Sequence, residues 1–162
     1  MRGLVQRVRN ARVSADGAVV GQIERGLLVY LGVGTDDTVQ YAERLAEKIA
    51  SLRIFEDQQG RLNRSVRDIR GDVLAVSNFT LLADARKGRR PAFLAAAPAE
   101  EAQPLYEAFT AALEREGCRV ACGAFGRHMD ISSVADGPVN VIVDYPSPPD
   151  GCEKGVSEQT TS

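Results

Sequence analysis

Between residues 75 and 93 the chain reads AVSNFTLLADARKGRRPAF. An apolar strand pattern breaks into Ser77, Asn78 and Thr80, and Arg86, Lys87, Arg89 and Arg90 follow before a proline. Two hydroxyls and a carboxamide can hold a polar substrate, but a threonine is a nucleophile only where a base stands beside it. The plainer role of such residues is to satisfy backbone groups where a strand stops. Crowded cations repel one another. A bound phosphate relieves that repulsion, although most charge runs are simply solvated.

Other chemistries lack their residues. The chain's one histidine, His128, lies in FGRHMD with no G-x-S-x-G motif nearby, so a Ser-His-Asp or Cys-His machine has little to build on and a rim position is expected. Carboxylates are scattered, with no H-x-x-E-H or D-x-D pattern. Cys118 and Cys122 stand four apart with no second pair to complete the four ligands of tetrahedral zinc; with Cys152 they make three, an odd number that suits a reducing compartment. Asp136-Gly137-Pro138, ahead of an apolar run, reads as a turn with proline at the first residue of a strand.

The elements that must carry these residues are legible from periodicity. Residues 3–9 alternate, and ARVSA and AVVGQI flank Asp16-Gly17, a hairpin signal. GLLVYLGVG (26–34) and DVLAVSNF (72–79) read as buried strands. Thr35, Asp36 and Asp37 offer caps for a helix over about 38–53, and a polar turn falls at Asp57–Gly60. A second helix is expected from about Pro98 to Glu116, closed by Gly117. CRVACGAF, MDISSVA and PVNVIVDY supply two or three further strands. About eight strands and two long helices without β-α-β alternation predict an α+β fold, a mixed or antiparallel sheet with both helices on one side.

The 162 residues suit one domain; 44% hydrophobic and 26% charged residues are ordinary for a globular chain. A net charge of −2 argues against a protein that coats nucleic acid, while leaving room for a local basic patch. No apolar run reaches the length of a membrane span, and MRGLVQRVRN lacks the apolar core of a signal peptide, so a cytoplasmic location is expected. A domain over 1–145 and a disordered tail over 146–162, rich in Pro, Ser and Gly, complete the reading.

Taken together, SNFTL (77–81), KGRRPAF (87–93), FGRHM (125–129) and DGPVN (136–140) resemble the signature blocks of the D-aminoacyl-tRNA deacylases, which usually read SQFTL and GPVT. The early QRV (6–8) and the GLLVYLGVG strand match as well, in the family's order and spacing over roughly 1–145. The resemblance implies a homodimer that hydrolyses the ester between a D-amino acid, or glycine mischarged on tRNA-Ala, and the 3′-terminal adenosine of tRNA. It implies no metal, no cofactor and no essential side-chain nucleophile, with the substrate's own ribose 2′-hydroxyl assisting water.

Carried over residue by residue, Ser77, Asn78, Phe79 and Thr80 line the ester pocket, with backbone amides near Phe79 and Thr80 as oxyanion donors. Carbonyls around Phe125 and Gly126 receive the α-ammonium, with Met129 nearby. Gly137-Pro138 forms a chiral filter, cis in the family and inserted into the partner's site, and Arg7 holds that dipeptide. Arg86, Lys87, Arg89 and Arg90 meet tRNA phosphates. Asn78 stands where glutamine is usual, and Asn140 where threonine is. These departures leave two other readings: a relaxed deacylase that clears small L-aminoacyl-tRNA, and a catalytically silent tRNA- or protein-binding homologue.

Overall fold

The computed structural model describes residues 1–146. Within them the order is β1 (Arg2–Ala15), β2 (Ala18–Ile23), β3 (Gly26–Gly32), α1 (Val39–Ser51), β4 (Phe55–Glu56), β5 (Leu62–Arg64), β6 (Asp72–Ser77), a 3-10 turn (Phe79–Leu82), α2 (Ala99–Arg115), β7 (Arg119–Cys122) and β8 (Asp130–Asp144). The expected tail beyond Pro146, with Cys152, lies outside the described residues.

One mixed sheet carries the fold. β1 pairs antiparallel with β2, β3 and β8, and β3, β6 and β7 continue in parallel. Both helices pack on one face, where Leu45, Ile49, Phe109 and Leu113 bury against Val5, Val29 and Ala75. A second core, including Val8, Val13, Leu28, Leu74 and Val76, fills the other face. This is the expected α+β arrangement, with two apolar layers rather than one.

Both expected helices form, but the cap of the first is not among Thr35, Asp36 and Asp37: Asp37 accepts the Gly34 N–H and pairs with the Met1 amine instead. Thr38 caps α1, its hydroxyl accepting the Tyr41 N–H at 3.3 Å. Glu100 and Glu101 occupy the first turn of α2, which runs through the exposed Pro104 and stops before Gly117 at φ +84°.

Eight strands form among the described residues, as expected, but two boundaries between them are corrected. Residues 3–9 and ARVSA form one strand, β1, and MDISSVA and PVNVIVDY form another, β8, because the two long strands pair along almost their whole length. Asp136-Gly137-Pro138 is therefore a bulge, not a turn between strands. Val8 faces Ala135 and Gln6 faces Asn140, so residues 136–139 stand opposite Arg7 alone. The strand expected over 72–79 ends at Ser77, where the 3-10 turn begins.

Candidate functional site

β6 delivers Ser77 to the end of the sheet. Asn78 then turns the chain: its N–H donates to Leu31 O at 2.8 Å, and its carbonyl accepts the Leu81 N–H at 3.3 Å. Its side chain folds back on the same turn. Asn78 Oδ1 accepts the Thr80 N–H at 3.1 Å and the Thr80 hydroxyl as well. The opening residues of the site are thus closed on one another. The Phe79 N–H, by contrast, has no hydrogen-bond acceptor among the described residues.

This turn forms one wall of a cleft of about 630 Å³. The loop after β7 forms the opposite wall with Phe125, Gly126, Arg127, His128 and Met129. The Phe125 ring packs on buried Tyr106, with centroids 5.7 Å apart, and the Tyr106 hydroxyl donates to Ala75 O at 2.9 Å, tying α2 to β6 behind the cleft. Burial, with the neighbouring Cys122 thiol, pushes the Tyr106 phenol well above its ordinary range, so it stays a donor. A Cβ at Gly123 would lie 2.9 Å from Met129 Sδ, so the glycine makes room for that side chain. Arg127 is ion-paired with Asp16 of the β1–β2 turn.

Among the described residues no Asp, Glu or Cys lines the cleft. Tyr30 does, and burial raises its phenol, which therefore stays neutral. His128 lies at the exposed edge, as expected of a rim residue. Arg127, paired with Asp16, is the one charged residue in this lining apart from the rim histidine; the rest is main chain and neutral side chains, an arrangement suited to positioning and to oxyanion stabilisation.

The remaining site residues fall into two other places. Gly137 and Pro138 are exposed and do not line the cleft of their own chain. Their peptide bond is cis, and Gly137 has φ +147° with Val139 N 2.5 Å from where a Cβ would sit, so only glycine fits there. Buried Arg7 fixes the bulge from beneath. Its Nε donates to Asp136 O at 2.9 Å and lies 3.3 Å from the Asp136 carboxylate, while Nη1 donates to Ile54 O at 2.6 Å.

The cationic loop follows the 3-10 turn. Arg86 is held in a two-pronged pair with Asp84, at 2.9 and 2.7 Å, and its guanidinium holds that carboxyl far below the usual carboxylate range. Lys87, Arg89 and Arg90 are exposed and enter no ion pair among the described residues. Phe79 and Phe93 meet edge to face, 5.1 Å apart, between this loop and the cleft.

Sequence reasoning missed the cleft's apolar walls: Tyr30, Ile131, Ala97 and Ala102. Tyr30 had a readable signal, as the one polar-tipped residue in GLLVYLGVG. The alanines had none.

The model of the D-Tyr-tRNA(Tyr) deacylase family matches residues 4–144. A D-aminoacyl-tRNA deacylase of Thermus aquaticus is 52% identical over 149 residues, spanning 92% of this chain and 98% of the relative. One from Roseiflexus castenholzii is 55% identical over 144 residues, 89% of this chain and 92% of the relative. A solved structure titled c-Myc DNA Unwinding Element Binding Protein superposes with a TM-score of 0.85 at 37% identity, covering 91% of this chain and all of that one. A probable eukaryotic D-amino acid tRNA deacylase shares the fold at a TM-score of 0.76 and 17% identity, over 88% of this chain and 97% of its own. With the family model spanning nearly every described residue and relatives this similar end to end, the chain belongs to the D-Tyr-tRNA(Tyr) deacylase family, whose curated members here carry the name of a hydrolase.

Proposed function

We propose that this protein hydrolyses the ester joining a D-amino acid, or glycine mischarged on tRNA-Ala, to the 3′-terminal adenosine of tRNA, a proofreading step carried out in the cytoplasm by a homodimer. The observation that carries this reading is that Phe79, whose N–H has no acceptor among the described residues, lines a cleft in which none of the described lining residues is a carboxylate or a thiol. An aminoacyl ester is already activated, so a fixed donor and good positioning can suffice.

Water, assisted by the substrate's 2′-hydroxyl, attacks the ester carbonyl carbon. The Phe79 N–H takes the developing negative charge on the carbonyl oxygen, while Asn78 and Thr80, bonded to each other, hold that turn still. The bond to the ribose 3′-oxygen then breaks, the oxygen takes a proton, and the amino acid leaves. Main-chain carbonyls at Phe125 and Gly126 receive the α-ammonium beside Met129. Lys87, Arg89 and Arg90 meet tRNA phosphates, with Arg86 sharing its charge with Asp84.

Gly137-Pro138 serves the other subunit. The dipeptide is exposed, held rigidly by Arg7 and absent from its own cleft, as a filter working across a dimer must be. There its carbonyls leave space for an α-hydrogen and exclude an L side chain, while a D side chain points away.

The test compares hydrolysis of D-Tyr-tRNA and L-Ala-tRNA by the purified protein and its Pro138→Ala variant, with sedimentation equilibrium alongside. Release from D-Tyr-tRNA alone, by a dimer, is the expected result. Release from L-Ala-tRNA by the parent protein makes it the relaxed enzyme, and release from neither makes it a binding homologue. A monomer refutes the cross-subunit filter.

A further inference from the structure

Among the described residues nine arginines lie within ion-pair distance of a carboxylate. Eight do not. Arg89 and Arg90 belong to the cationic loop, and Arg12 stands alone on β1. The other five, Arg25, Arg53, Arg61, Arg64 and Arg70, are all exposed and gather around the β4–β5 hairpin.

Phe55 organises the group. It is fully buried, the Arg25 guanidinium sits 5.7 Å over its ring, and Arg64 is its partner across the hairpin. Arg53 reaches Asn63 Oδ1 of β5 at 3.4 Å. Arg70 adjoins Gly71, whose neighbour Asp72 donates its N–H to Arg25 O at 3.3 Å.

Arg64 donates to the Asp68 main-chain carbonyl at 2.7 Å, and two nearby carboxylates serve their own turns. Asp57 closes its own turn, accepting the N–H groups of Gln59 at 2.8 Å and Arg61 at 3.1 Å, and Asp68 accepts the N–H and hydroxyl of Ser65 at 2.7 and 2.8 Å. Asp72 pairs with Arg119 at 2.7 Å, and Glu24 and Glu56 enter no ion pair among the described residues. A folded surface that pairs most of its arginines yet leaves five together has the form of a polyanion site. Guanidinium suits phosphate because its planar fork offers two parallel donors.

The position says which polyanion. The Arg7 guanidinium that holds Asp136 also holds Ile54 O, so the root of the hairpin and the Gly137-Pro138 bulge are fixed to one buried group. We infer that Arg53, Arg61 and Arg64, flanked by Arg25 and Arg70, form a second phosphate-binding surface for tRNA, engaging the RNA whose 3′ end lies in the partner subunit's cleft. The inference rests on the dimeric deacylase reading. The Arg86–Arg90 loop then grips RNA on its own cleft's side, and the hairpin grips it from across the dimer.

The experiment compares the parent protein with an Arg53→Ala/Arg61→Ala/Arg64→Ala variant whose fold is checked by thermal melting. Substrates are full-length D-Tyr-tRNA and D-tyrosyl-adenosine, which lacks the RNA body. For the tRNA, KM should rise about tenfold or more with kcat unchanged, and the slope of log affinity against log salt should fall by about 2–3, roughly one per lost phosphate contact. Hydrolysis of D-tyrosyl-adenosine should not change.

An unchanged KM and salt slope for tRNA overturn the inference, with D-tyrosyl-adenosine hydrolysis showing the deacylase reading intact. If the parent protein cleaves neither substrate, that reading fails by itself, and anisotropy of labelled uncharged tRNA still decides the surface: equal affinity for both proteins overturns it. Vesicles containing phosphatidylserine serve as the third arm. Loss of vesicle binding with tRNA affinity retained assigns the arginines to an anionic membrane and overturns the RNA assignment.

Discussion

Replacing Asn78 by alanine removes the acceptor that closes the 3-10 turn on itself. Two hydrogen bonds go, from the Thr80 N–H and the Thr80 hydroxyl. Two backbone bonds remain, from the Asn78 N–H to Leu31 O at 2.8 Å and from the Leu81 N–H to Asn78 O at 3.3 Å, so the turn stays attached to the sheet. Losing a capping side chain costs ~1 kcal/mol, within a range of about 0.5–2 kcal/mol. If that energy holds the adjacent Phe79 N–H in line with the oxyanion, kcat/KM should fall about fivefold to tenfold, since about 1.4 kcal/mol is a factor of ten in rate. Asn78→Ser keeps a short acceptor for the same turn and should stay within about twofold of the parent, because serine caps almost as well as asparagine. The assay is single-turnover release from D-Tyr-tRNA, with thermal melts of each variant. A parent-like rate in Asn78→Ala refutes the positioning role. A serine variant as slow as the alanine variant refutes it differently, by placing the carboxamide on the substrate itself.

Arg7→Ala leaves Ile54 O and the Asp136 backbone carbonyl without their buried donor, and urea denaturation should show a loss of about 2–4 kcal/mol. Arg7→Lys cannot span both partners and should recover less than half of it; full recovery would show that charge alone holds the bulge. Acid should act through turns rather than through the cleft. The Asp57 carboxyl is held below its ordinary value by the N–H groups of Arg61 and Gln59, and Asp68 by the N–H and hydroxyl of Ser65. A depressed folded value means this stabilisation is complete above the unfolded value of about 4 and disappears as pH falls through the depressed one. The melting temperature should therefore drop below about pH 4, and Asp57→Asn should blunt the drop; parallel curves for parent and variant down to about pH 2.5 would refute the assignment.

The helices were legible because each carries a 3.6-residue apolar stripe, and α2 also has acidic residues in its first turn and Gly117 past its end; the cap of α1 was misplaced because four polar residues in a row, Thr35 to Thr38, offer the same chemistry. Strand continuity was harder to read. Asn10 and the Asp136-Gly137-Pro138 segment look like interruptions in a one-dimensional pattern, but β1 and β8 pair through both, and pairing is a long-range fact. The polar strand end was visible as an anomaly in an apolar run, whereas the direction of the Asn78 side chain was not. An Asx-type closure and an outward carboxamide demand the same residue. The alanine walls of the cleft were invisible for a simpler reason, since alanine has no chemistry to notice.

The sequence departs from its family's usual motif at Asn78 and at Asn140, and the structure gives these two positions different weight. Asn140 is the first residue to resume the ladder after the bulge, pairing with Gln6, and its side chain is exposed. What that position must do is main-chain work. Asn78 contributes its side chain, but spends it on Thr80 of its own turn. The working groups assigned to the reaction, the Phe79 N–H, the carbonyls at 125–126 and the Gly137-Pro138 backbone, belong to the chain rather than to its side chains. A site made this way tolerates substitution wherever the backbone path is preserved. It is intolerant where a Cβ cannot fit, as at Gly137, or where one buried group holds a whole segment, as Arg7 does. Asn140 falls in the first class, Asn78 does so only for residues that keep an acceptor for Thr80, and a change at Gly137 or Arg7 would fall in the second.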